Sequence, residues 1–146
     1  MAIAVRRATA ADAELVSALN ADVQAIHAAA LPWRFKQPGP NTFQPSEAAA
    51  LIARPGHLVF IAEADGEPAG YAYAEVIRRP ETAFHHAYAS VYLHHISVKP
   101  SHRRLGVGAG LLEAVRSAGK ELGIDLLTAD VWSFNEDARA FSAATD

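Results

Sequence analysis

Residues 91–110, VYLHHISVKPSHRRLGVGAG, concentrate the groups best suited to binding an anion and moving a proton. His94 and His95 lie in an apolar, β-branched run, and histidine changes charge between about pH 5 and 8. Lys99-Pro100 ends that run. Arg103 and Arg104 follow, and then Gly106, Gly108 and Gly110 stand where an amphipathic helical pattern begins. A helix N-terminus exposes N–H groups with no partner inside the helix and carries the positive end of the helix dipole. Glycine lets an anion approach that backbone closely and permits backbone angles closed to other residues. Arginine's planar donors match phosphate oxygens. The stretch reads as a pyrophosphate cradle, with a tight strand-to-helix turn flanked by solvent-exposed arginines as the plain structural alternative. It is not a Walker motif, because no Gly-Lys-Ser/Thr follows, and the glycine spacing is not that of a dinucleotide fingerprint.

The elements that must position these residues follow from periodicity and turn chemistry. IAVRRAT reads as a first strand, and Thr9 with Asp12 is a variant capping box in which Asp replaces the usual Glu or Gln. Leu15, Val16, Leu19, Val23 and Ile26 recur at helical spacing up to about Ala30. The proline-rich LPWRFKQPGPNTFQP is a loop anchored by Trp33 and Phe35. A short helix starts at Ser46, and HLVFIAEADGEPAGYAYAEVI is a hairpin closed at Asp65-Gly66. RRPETAFHHAYAS is a loop or ragged strand edge, and VYLHHISV is the next strand. The helix after the glycines runs to about Leu122 with Gly123 as its C-terminal cap. IDLLTADVW is an apolar strand expected to be buried on both faces, and NEDARAFSAA is a last short helix. The order β-α-α-β-β-β-α-β-α, with an antiparallel hairpin and one parallel pair, predicts an α/β fold: a mixed sheet with helices on both faces.

Composition bounds the function. The chain has 146 residues, 51% of them hydrophobic and 20% charged, which suits one soluble domain spanning residues 1–146. A formal charge of -3 argues against a dedicated nucleic-acid binder and mildly favours a cationic small-molecule partner. The absence of cysteine excludes disulfides, thiolate metal sites and cysteine nucleophiles. No apolar stretch of membrane-spanning length is present, and MAIAVRRATAADAELV lacks the order of a signal peptide, so a cytoplasmic protein is expected.

Taken together, Arg103-x-x-Gly106-x-Gly108 between HISV and LLEAV resembles the acyl-CoA-binding signature of the GNAT superfamily of N-acyltransferases. VFIAEADGEPAGYAYAEV is similar to that family's second and third strands, and DVWSFNEDARAF to its fifth strand and the helix beginning Asn-x-x-Ala-x-x-Phe. IHAAALPWRF resembles the acceptor-side loop of one branch of small-molecule GNAT enzymes. The resemblance covers nearly the whole chain and implies an acyl-CoA ligand, acetyl-CoA above all, with an amine acceptor. It implies that the backbone around Arg103, Arg104, Leu105, Gly106, Val107, Gly108 and Ala109 holds the pyrophosphate. Ile96 and Val98 would pair through their backbone with the pantetheine arm as if it were an extra strand. Asn135 would bond the same arm near the thiol; a helix N-cap is its other reading.

Acetyl transfer to an amine needs a group to take the proton of an amine that arrives charged, and a donor for the thioester oxygen. His94 is the first candidate base and Glu75 the second, and Tyr92 is a candidate to position the acceptor. Strand alternation places Tyr92 and His94 on one face and Leu93 and His95 on the other, unless a bulge intervenes. A sheet histidine bonded to a carbonyl, an exposed strand carboxylate and a packing tyrosine are the respective structural alternatives. The same alternation keeps adjacent histidines from chelating one metal ion, so no metal is expected.

Two features depart from the family pattern. Ser142 stands where many members carry the tyrosine that protonates the leaving thiolate. The sequence AFSAATD also lacks the usual continuation into a final strand pair. That would leave IDLLTADVW as an unpaired apolar edge, so either the sequence is a truncated form or a partner covers the edge; the second case predicts self-association, as a homodimer or larger, through it. A CoA-binding module with little turnover is therefore the alternative to an enzyme. A nucleotide-phosphate binder unrelated to CoA is a third reading.

Overall fold

The computed structural model describes residues 2–102 and 105–129. Its elements are β1 (Ile3–Arg7), α1 (Ala13–Ala30), α2 (Pro45–Ala53), β2 (His57–Ala64), β3 (Glu67–Arg79), β4 (Tyr88–Val98), α3 (Val107–Glu121) and β5 (Leu127–Ala129). The last predicted helix, NEDARAFSAA, and the remainder of the final strand lie outside the described residues. The five strands form one sheet in the order β1-β2-β3-β4-β5. The first three pairings are antiparallel, and β4 and β5 run parallel, as a strand–helix–strand crossover through α3 requires. This is the mixed α/β architecture that the pattern predicts.

Each face of the sheet carries its own core. On one face α3 buries Val107, Leu111, Leu112 and Val115 against Leu58, Phe60, Ala72, Ala74, Val91 and Leu93. On the other, α1 and α2 bring Val16, Leu19 and Ala48 onto Val59, Ile61, Tyr71 and Tyr73. The period-2 alternation of β2 and β3 divides their side chains between these two layers. Arg6 ties β1 to the entry of α1 by donating from both terminal nitrogens to the two Asp12 carboxylate oxygens, each at 2.8 Å. The Thr9 N–H also donates to Asp12 Oδ2 at 2.8 Å, the reciprocal half of the capping box read from the sequence. Arg6 thereby holds the Asp12 carboxyl well below the usual carboxylate range, against the opposing cost of its burial.

Several boundaries differ from those read in the sequence. β3 continues to Arg79 and β4 begins at Tyr88, so the two ends of RRPETAFHHAYAS are strand and its middle is loop, with Arg79 opposite Tyr88. α2 begins one residue early, with Gln44 as N-cap and Pro45 at the first helical position, where proline has no hydrogen bond to forfeit. Trp33 is 79% exposed and anchors nothing; Phe35 instead packs edge-on to His27 of α1, with ring centroids 5.0 Å apart. β5 is not buried on both faces over its described length: Leu127 packs on the α3 core while Thr128 and Ala129 are exposed.

The glycines divide by role. Gly123, with φ 76, closes α3 in a Schellman motif, its N–H donating to Lys120 O at 2.9 Å and that of Ile124 to Gly119 O at 2.8 Å. Gly110 faces β1, where a Cβ would stand 3.4 Å from Val5 Cγ2, so its smallness serves helix–sheet packing. Gly70 is required by close approach: a Cβ there would lie 2.3 Å from the Ser97 carbonyl oxygen on β4. Gly70→Ala is predicted to force β3 and β4 apart and to cost about 1–3 kcal/mol, the usual range for overpacking. Urea unfolding at neutral pH measures it; a midpoint equal to wild type would show that the strands yield at no cost.

Candidate active site

A break in the alternation of β4 builds the site. Ala74 pairs with Leu93 and Tyr73 with His95, so His94 is an extra residue with no partner of its own on β3. In such a bulge two residues face one, and the side chain that should cross to the other face does not. Leu93, Ile96 and Val98 pack on the α3 side. His94 and His95 both turn to the α1–α2 side, where Tyr73 contacts both rings. The expectation that His95 faces away from His94 is therefore corrected. The argument that adjacent histidines diverge fails here for the same reason, although among the described residues no group of three His, Asp or Glu side chains is arranged to hold a metal.

The three candidate catalytic residues come together on this face. Glu75 is directly opposite Tyr92 in the β3–β4 register. His94 Nε2 donates to Glu75 Oε1 at 2.9 Å, with the two side chains 32% and 34% exposed. The Tyr92 ring meets His94 edge-on at 4.7 Å, and Tyr73 stacks on the other side of His94 at 4.7 Å with planes 11° apart. Because a carboxylate only accepts, the His94 proton in the neutral ring sits on Nε2 and the lone pair on Nδ1.

His95 occupies a different environment although it is the next residue. A buried chain runs to it from α1: Asn20 Nδ2 donates to the Tyr71 hydroxyl at 2.9 Å, and that hydroxyl donates to His95 Nδ1 at 3.1 Å. Burial, followed by the neighbouring His94 and His27, pushes the His95 imidazolium down to about 4, so His95 is neutral at pH 7. Burial also raises the Tyr71 hydroxyl far above its ordinary range, which keeps it a donor.

His57 was not singled out in the sequence. It begins β2, lies opposite Glu75 in the β2–β3 register, and its ring accepts from the Tyr73 hydroxyl at Nδ1, 2.7 Å away. Its Nε2 is 3.8 Å from Glu75 Oε2. The register that puts it there depends on a second irregularity, a one-residue shift at Ala62/Glu63. A plain hairpin closed at Ala64–Glu67 sets Ala74 opposite His57 instead.

The residues expected to hold acyl-CoA fall along the continuation of β4 and the start of α3. Ile96 and Val98 direct their side chains into the α3 core. Within the described residues β5 pairs with β4 only from Val91 to Leu93. Leu105 is 44% exposed, and Gly106 is the N-cap of α3 with φ 88, a left-handed angle that favours glycine. The first bond within the helix is Gly110 N–H to Gly106 O at 3.0 Å, so the amides of Val107, Gly108 and Ala109 precede it. The first turn carries no acidic side chain, and Val107 is buried, which fixes the direction of the helix. Arg103, Arg104, Asn135 and Ser142 lie outside the described residues. A shallow cavity between the end of α3 and β5, lined by Val91, Arg116, Gly119 and Leu127, is on the α3 face and takes no part in this cluster.

The depressed His95 titration has a stability consequence. Below about 6.5 the unfolded chain binds a proton that folded His95 refuses until about 4, so stability is complete above 6.5 and is lost as pH falls across that window. His95→Asn keeps an acceptor for the Tyr71 hydroxyl and removes the titration. Its unfolding free energy is predicted to fall less steeply than wild type between those pH values in urea titrations. Equal slopes would mean that His95 titrates normally.

The profile described as the Acetyltransferase (GNAT) family matches residues 20–143. No curated protein sequence matches the chain. Among solved structures, a mutant of the BH1408 protein from Bacillus halodurans is similar with a TM-score of 0.90 at 25% identity, covering 97% of this chain and 90% of that one. The aminoglycoside N-acetyltransferase AAC(6')-Iy, solved with the bisubstrate analogue CoA-S-monomethyl-acetylneamine, is similar with a TM-score of 0.76 at 23% identity, over 99% of this chain and 89% of that one. The aminoglycoside acetyltransferase meta-AAC0020 from an uncultured soil metagenomic sample, solved with sisomicin, gives 0.70 at 17% identity, over 99% and 87%. These last two identities establish a shared fold. With the family profile spanning most of its length, the chain belongs to the Acetyltransferase (GNAT) family, whose members are acyl-CoA-dependent N-acyltransferases.

Proposed function

We propose that the protein transfers an acetyl group from acetyl-CoA to a primary amine of a small molecule or peptide by direct attack. The observation that carries this reading is the His94–Glu75 pair at the bulge of β4, beside the strand segment and helix N-terminus suited to an acyl-CoA. The residues fit such a ligand: Gly106 has no side chain to cap the amides of Val107, Gly108 and Ala109, and the first turn brings no competing carboxylate. Bound acetyl-CoA supplies the thioester carbonyl. Aminoglycoside ligands in two fold neighbours and the net charge of -3 support a cationic, amine-bearing acceptor.

The chain's own groups then have separable tasks. His94 takes the proton of the incoming amine, directly or through one water, because only the neutral amine attacks. Glu75 holds the ring by its Nε2 and stabilises the imidazolium that forms. Tyr73 and Tyr92, on two sides of the ring, restrict its rotation. The bulge leaves backbone at His94 outside the ladder, and a backbone N–H there is the kind of donor that stabilises charge on a thioester oxygen. The loop of residues 31–44, with exposed Trp33, forms a wall for the acceptor. Ser142 leaves the departing thiolate without a tyrosine, and a CoA-binding module with little turnover remains the second reading on that observation.

The test combines binding with turnover. Acetyl-CoA at 100 times its dissociation constant is predicted to stabilise the fold by about 2.7 kcal/mol, read as a thermal shift that ATP does not reproduce. Against a panel of amines, release of the CoA thiol is predicted in wild type, and His94→Ala is predicted to lower kcat by roughly 10²–10³-fold with the acetyl-CoA shift intact. Binding without turnover on any amine would select the binding module. A shift with ATP as large as that with acetyl-CoA would select a generic phosphate site.

A further inference from the structure

We propose that His57 and Tyr73 are positioning residues, which orient Glu75 and the His94 ring and so present His94 with Nδ1 as its basic atom. The inference rests on the acetyl-transfer reading above and extends it to two residues that touch neither substrate.

The argument is one of hydrogen-bond direction. Glu75 can only accept. Its Oε1 takes the Nε2–H of His94 at 2.9 Å, and its Oε2 faces His57 Nε2 at 3.8 Å. That second distance is too long for a hydrogen bond and amounts to an electrostatic contact, favourable only if His57 Nε2 carries a proton. The Tyr73 hydroxyl, 2.7 Å from His57 Nδ1, fits that tautomer in the neutral ring, since a phenol that donates to Nδ1 leaves the proton on Nε2. Burial and then the Glu75 charge hold the Tyr73 phenol up at about 12, so it keeps the proton it donates.

Packing adds a second constraint. The Tyr73 ring lies between the two imidazoles, parallel to His57 within 12° at 5.6 Å and to His94 within 11° at 4.7 Å. His57 is 9% exposed in its side chain against 32% for His94, so the buried imidazole serves as the fixed member and the exposed one as the reactive member. Tyr73 and His57 are buried, whereas His94 is partly open to solvent. Their effect reaches the reaction through Glu75 and through the orientation of one ring.

Long-range ¹H–¹⁵N spectra of wild type with labelled histidine test the proposal without any substitution. Both His57 and His94 are expected as Nε2–H tautomers at neutral to mildly alkaline pH. His57→Phe is then expected to lower kcat about tenfold, the lower end of the effect of removing a partner that orients a reacting ligand, with KM for acetyl-CoA unchanged. His57→Gln, whose amide nitrogen reproduces the Nε2–H, is expected to recover most of that loss, which a merely space-filling role does not predict. An active wild type with His94 as the Nδ1–H tautomer, or with full kcat in both His57 variants, overturns the positioning role alone. A wild type that transfers no acetyl group to any amine overturns the function proposed above, whatever the tautomers.

Discussion

The site depends on one extra residue in one strand. Without the bulge at His94, strict alternation would send either His94 or His95 into the α3 core, where an imidazole would meet Val107, Leu111 and Val115 and find no polar partner. With it, both rings lie on the α1–α2 face, and the apolar side chains on either side of the break, Leu93 and Ile96, still reach the same core. The bulge therefore costs the hydrophobic layer nothing while it doubles the polar groups on the opposite face.

The surrounding structure is organised to keep that irregularity in place. β3 and β4 approach so closely beyond the bulge that only glycine fits at Gly70 against the Ser97 carbonyl. Ser97 itself donates to Leu19 O at 3.2 Å and binds β4 to α1. The chain Asn20–Tyr71–His95 crosses from helix to sheet through buried hydroxyl and imidazole groups, each with a partner. Among the described residues no buried side-chain polar atom lacks one. Such networks specify a unique arrangement when every member is satisfied, and this one locks the strand that carries the reactive groups to the helix that covers them.

Much of this was legible in the sequence, and the failures have definite causes. The strand and helix order, the hairpin at Asp65-Gly66, the cap at Gly123 and the left-handed glycine at Gly106 follow from residue types with narrow conformational preferences. Tyr92, His94 and Glu75 were legible as candidates because their strands could be phased. The parity of His95 was misread, yet the signal was present: apolar residues in VYLHHISV fall at Val91 and Leu93 and then at Ile96 and Val98, a break in period 2 that places an extra residue between Leu93 and Ile96. His57 was missed for a different reason. Its partnership with Glu75 exists only after a one-residue register shift at Ala62/Glu63, and no local preference around Pro68 fixes that register. Gly110 was given no role in the sequence, because its packing on β1 is set by a helix–strand contact distant in sequence.

The two adjacent histidines show how an environment assigns roles that residue type cannot. Both are imidazoles, and they follow one another in a strand. His95 has its Nδ1 occupied by a buried phenol, and burial holds it neutral down to about pH 4. A proton taken up there would have to be charged among apolar neighbours, beside His94 and His27. His94 is open to solvent over a third of its surface and bonds a carboxylate through the nitrogen that does not need to react. Charge arriving on His94 is therefore met by Glu75, while among the described residues no carboxylate pairs with His95. A strand of alternating side chains offers one such position at a time, and the bulge supplies two on one face. One is spent on rigidity, and the other is left poised for proton transfer.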